Sequence, residues 1–162
     1  MLPRWEDLPD GPMTNRELVD HVREYLTPLF LTENFISTTR IQNYVKWGVL
    51  TPPKGRRYEK LHLAEAMILS ILKGVLTTEE IARGIRLQLL LLSTEKAYDA
   101  FCGAFEEAKS EVEYLIKFGK IPESVSQYPA LSSVCRGFCY TALSKDIIRL
   151  GGLDKFKGEK NE

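Results

Sequence analysis

Pro52 and Pro53 stand side by side about a third of the way along this 162-residue chain, and no helix passes through them. Proline lacks an amide hydrogen, and its ring excludes the residue before it from helical geometry. On both sides of the pair the apolar residues recur at spacings of three and four, the mark of helices with one buried face. The chain therefore reads as mainly α, broken by one stiff, extended excursion.

Upstream, Pro3, Pro9, Gly11 and Pro12 make residues 1–13 an irregular lead-in. Thr14 or Asn15, with Glu17 in the first turn, opens a helix through Leu18, Val22, Tyr25 and Leu26 that stops at Pro28. After the segment 29–36, Ser37 or Thr38 caps a short second helix that ends near Gly48. Downstream, a helix from Leu61 to Leu72 closes at Gly74, and Thr77 or Thr78 with Glu79 or Glu80 opens another through Ile81, Ile85 and Leu89. Ser93 or Thr94 starts a long helix that ends at Gly119 and carries Tyr98, Phe101 and Phe105 on one stripe. A final helix, Tyr128 to Leu150, follows a loop with Pro122 and meets Gly151 and Gly152, beyond which residues 153–162 read as a disordered tail. The expected plan is a helical head over 14–92, a helical hairpin over 93–152 and that tail.

Charge is segregated along the chain although it sums to zero. Residues 1–35 hold three basic and seven acidic groups, whereas residues 36–60 hold Arg40, Lys46, Lys54, Arg56, Arg57 and Lys60 against Glu59 alone. On the second helix, at about 100° per residue, Thr39, Gln42, Asn43 and Lys46 share one face, and Ile41, Tyr44 and Val45 the opposite one. Short polar side chains of this kind suit base edges in the major groove, where asparagine and glutamine match adenine. Arg40 lies on the flank, within reach of a phosphate. Lys54, Arg56 and Arg57, with Tyr58 among them, suit the sugar-phosphate backbone, where cations gain affinity by releasing counterions. A solvated polar helix face beside a basic surface loop would present the same residues, so the pattern alone leaves both readings open.

Other function classes find little support in the sequence. There is no phosphate loop, nucleophile elbow or metal-spaced histidine cluster, and His21 and His62 fall inside expected helices, so neither enzymatic activity nor a cofactor is expected. Cys102, Cys135 and Cys139 cannot all pair, which points to buried free thiols in a reducing compartment; Cys135 and Cys139, one turn apart, leave a metal pair as the weaker alternative. The densest apolar run, Leu87 to Leu92 broken by Gln88, is far short of the roughly 20 residues a bilayer requires. No secretory leader is recognisable at the start, and a cytoplasmic, non-membrane protein is expected.

The stretch Ile41 to Pro52, followed by Arg56, Arg57 and Tyr58 and then by Thr77-Thr78-Glu79-Glu80-Ile81, resembles the MerR family of winged-helix transcription regulators. Asn43-Tyr44-Val45-Lys46 and the run from Arg57-Tyr58 to His62 resemble more closely a family of uncharacterised bacterial proteins with a MerR-like head, known only as a domain of unknown function. The resemblance covers residues 14 to about 90. It implies a winged helix-turn-helix, with Tyr44 before a Gly48-Val49-Leu50 turn, a wing pair Arg56 and Tyr58, and a phosphate contact from the wing arginine; together with the residues read above, the expected phosphate set is Arg40, Tyr44, Lys54, Arg56, Arg57 and Tyr58. It departs from the MerR pattern at Gln42, where arginine is usual, at Val75, where glycine is usual, and in a shorter wing.

By the same resemblance the partner is double-stranded DNA, bound by a homodimer built on the long helix after the head. The Tyr98, Phe101 and Phe105 stripe fits packing within the chain, a dimer seam or a pocket for a small-molecule effector, in that order of preference. The alternative function is a winged-helix protein-interaction module that does not read DNA, favoured by Gln42 and the neutral overall charge.

Overall fold

Thr14 begins the first helix by a reciprocal exchange: its hydroxyl accepts from the Glu17 amide (3.2 Å), and the Glu17 carboxylate accepts from the Thr14 amide (2.6 Å). Two of the amides left over at a helix start are satisfied this way. The computed structural model in which this is seen describes residues 1–29, 36–121 and 126–159. Among the described residues the chain is mainly helical: α1 (Asn15–Leu26), α2 (Thr38–Lys46), α3 (Lys60–Leu72), α4 (Thr78–Leu89), α5 (Thr94–Phe118), α6 (Pro129–Leu150) and α7 (Leu153–Glu159). Parts of the segment expected over 29–36 and of the Pro122 loop lie outside them. The chain divides into two compact units, residues 1–103 and 104–162.

In the first unit α1 buries Leu18, Val19, Val22 and Leu26, and it packs on both α2 and α3. Asn15 Nδ2 donates to the Thr38 carbonyl (2.9 Å), which ties the start of α1 to the start of α2. The central helix is α3, with ten of its residues from His62 to Leu72 buried. Beside it, α4 is opened by Thr77 and Glu80 in the same reciprocal manner as α1 and buries only Ile81 and Ala82.

The lead-in belongs to this core. Leu2 and Leu8 are buried. The Tyr98 hydroxyl donates to the Pro3 carbonyl (3.1 Å), Arg4 Nη1 to the Asp99 carbonyl (2.9 Å) and the Trp5 amide to Asp99 Oδ1 (2.8 Å). Trp5 meets the Tyr98 ring edge-on at 6.1 Å.

The second unit takes in the later part of α5 together with α6 and α7. Phe105 and Phe138 pack at 6.1 Å between centroids. The buried Glu111 carboxylate accepts from Arg136 Nε and from the Tyr140 hydroxyl, both at 2.8 Å. Gly151, left-handed at φ 80°, ends α6. The expected tail is helical as far as Glu159, because Phe156 is buried and α7 packs on α6. Cys102, Cys135 and Cys139 are buried and in no disulfide, and burial pushes the Cys139 thiol up to about 12. Among the described residues no group of three or more acidic, histidine or cysteine side chains is placed to hold a metal, and no helix is long and apolar enough to cross a membrane.

Tyr98, Phe101 and Phe105 are all buried. This burial fits packing within the chain, the reading preferred for that stripe.

Candidate nucleic-acid interface

Ser37 caps α2 by accepting from the Arg40 amide (3.3 Å), and this sets the rotation of the helix. Ile41 and Tyr44 then point into the core, while Thr39, Arg40, Gln42 and Lys46 are exposed and Asn43 half-buried. The four residues expected to read bases therefore share one accessible side of α2, with Arg40 at its N-terminal flank. After Trp47 the chain reverses at Gly48, whose φ of 66° suits a residue without a Cβ. The Val49 and Leu50 amides both donate back to the Tyr44 carbonyl, at 2.9 and 3.1 Å.

The excursion that follows is fastened at both ends. At its start the Thr51 amide and hydroxyl donate to the two oxygens of Glu65, a buried carboxylate on α3, at 2.9 and 2.7 Å. At its end Tyr58 exchanges two backbone hydrogen bonds with Met13 (2.7 and 2.8 Å), the smallest possible antiparallel pairing. Between them the Arg57 amide donates to the Lys54 carbonyl (3.0 Å) around Gly55 and Arg56, at φ 55° and 64°. Two central residues with positive φ are the signature of a type I′ turn, the twist-matched connection of tight hairpins. Arg56 is the one residue other than glycine among those described that holds this conformation.

The cations of this region divide into two groups. Lys54, Arg56 and Arg57 are exposed on the hairpin. Lys60 is turned away from them, its ammonium 2.8 Å from Asp10 and 5.8 Å above the Trp5 ring. An acidic neighbour is present too: the bonds from Thr14 hold the Glu17 carboxyl below the usual range, and the charge of Arg57 adds to the effect.

Tyr44 and Tyr58, expected at phosphates, are only 4% and 6% exposed. Tyr44 anchors the α2 turn, and Tyr58 lies edge-on to His62 at 5.4 Å, so both serve the core. His62 in turn accepts from the Glu59 amide (2.8 Å) through Nδ1 at the start of α3.

Two residues that the sequence pattern did not single out also belong to this surface. Trp47 is 61% exposed at the end of α2, although its position three residues after buried Tyr44 argues for an inward ring. Lys73, at the end of α3, is pushed down to about 8, first by burial and then by the charge of Arg40. No sequence spacing links residues 40 and 73.

Residues 3–101 match the family described as a domain of unknown function, DUF1836. The match begins in the lead-in and ends inside α5, nearly coextensive with the first unit. No curated protein and no solved structure matches the chain.

Proposed function

The chain belongs to the DUF1836 family, and we propose that this member binds double-stranded DNA as a MerR-like winged helix-turn-helix and acts as a transcription regulator. The observation that carries this reading is the continuity of α2 with a hairpin fastened at both ends. The helix offers Thr39, Gln42, Asn43 and Lys46 on one side, and the fastened hairpin carries Lys54, Arg56 and Arg57 exposed. In this reading α2 enters the major groove, Asn43 and Gln42 address adenine edges, and Arg40 and the three hairpin cations lie on phosphates. Strain at a non-glycine residue is characteristic of functional positions, and Arg56 at the hairpin tip shows it.

A duplex titration at several salt concentrations tests the proposal. If each head neutralises about four phosphates, a homodimer loses affinity with a log-log slope of about −7. Absence of binding at low salt, or binding indifferent to salt, overturns it. A protein-interaction module is the second reading, favoured by Asp10 on Lys60 and by Glu17 near Arg57, both of which reduce the positive field around the wing. Under that reading selection from a random duplex pool enriches nothing.

A further inference from the structure

We propose that the outer face of α4 is a self-association surface, on which a second copy of this chain packs its own α4 antiparallel about a two-fold axis. Beyond Ile81 and Ala82 the helix contributes little to its own core, and its C-terminal end is strongly apolar: Leu87 is 57% exposed, Leu90 80% and Leu91 76%. Exposed apolar side chains clustered like this mark an interaction surface, whereas scattered ones need no explanation. The turn after the helix keeps them together, since the Leu90 amide donates to Leu87 and the Leu91 amide to Gln88.

Gly84 stands on the same face. A glycine inside a helix weakens it relative to alanine, and a Cβ built here meets nothing within 4 Å, so packing inside the chain gives no reason for one. A partner backbone approaching closely does.

The charges select the occupant. At 100° per residue Glu80, Arg83, Gly84 and Leu87 fall on one stripe, with Leu91 in the turn that continues it and with acid toward the N-terminus and base one turn later. Two such stripes run antiparallel, with the axis close to residue 82, set Glu80 of each copy beside Arg83 of the other. They also lay the leucines of each copy over the α3–α4 turn of its partner. An isologous contact must be self-complementary in this sense. Parallel stripes would oppose like charges.

Sedimentation velocity of the full chain without DNA, from low micromolar to submillimolar concentration, provides the test. A dimer is expected for the unmodified chain, and a monomer with unchanged helical circular dichroism for Leu87→Asp combined with Leu91→Asp. Gly84→Gln should raise the thermal midpoint while weakening association at least tenfold. Glu80→Arg and Arg83→Glu should each weaken association, and the two together should restore it; the pair is compared with Glu80→Arg alone because both lack the Thr77 cap contact. A chain monomeric throughout, a dimer indifferent to the aspartates, or a double exchange no better than Glu80→Arg overturns the proposal. The homodimer of the DNA-binding reading would rest on this surface, but association is read here without DNA, so the two can fail separately.

Discussion

At the scale of single residues, the hairpin sets stability against binding at Arg56. A left-handed conformation costs a non-glycine residue about 1–2 kcal/mol, so Arg56→Gly should stabilise the first unit by up to about 1 kcal/mol after the greater freedom of glycine in the unfolded chain is allowed for. The same change removes a cation from the proposed phosphate contacts and should lower the salt slope by about 1 per head. Paired urea and duplex titrations check both signs. Glu65 is the fastening at the other end: Glu65→Ala leaves the Thr51 amide and hydroxyl without their acceptor and should cost about 1–3 kcal/mol, read by urea unfolding. Lys73 gives a pH dependence. Its folded value near 8 is below the ordinary 10.5, so the unfolded chain binds the proton more tightly and the penalty is fully present below pH 8. Stability contributed by this residue therefore rises from pH 8 to about 10.5, and Lys73→Met should be more stable than the unmodified chain at pH 7, with the difference shrinking across that window.

Among the elements, helix starts were the most legible, because capping is a local exchange within four residues. Of the two residues the sequence offers at each start, Thr14, Ser37 and Thr77 are the caps, with Glu17 and Glu80 completing the first and last. The two faces of α2 follow from periodicity for the same reason, and Asn43→Ala should accordingly erode discrimination between duplex sequences more than it lowers overall affinity, as measured by competition between selected and random sites. Tertiary partners decided what periodicity could not. Tyr58 shares its segment with outward-facing residues, yet the edge of His62 draws its ring inward. Before α7 stand two glycines, and its short, mostly charged sequence gives no helical signal; one buried phenylalanine holds the element in place.

For the whole molecule, the least legible feature was the lead-in, whose hydrogen bonds reach residues about 95 positions away, beyond any window of sequence periodicity. The family match from residue 3 agrees with its place in the first unit. Trp5 and Trp47 are the two tryptophans of the chain and both lie in that unit, so their fluorescence follows its unfolding. Leu8→Ala should shift the fluorescence-detected urea midpoint downward by the equivalent of about 2–5 kcal/mol; an unchanged midpoint would place the lead-in outside the folded structure. The hairpin carries a consequence for how such a chain evolves. It is anchored by Thr51 and Tyr58 and closed over two residues, so an insertion or deletion would break an anchor or the turn. Relatives can exchange the charges it carries one residue at a time, but selection has little freedom over its length.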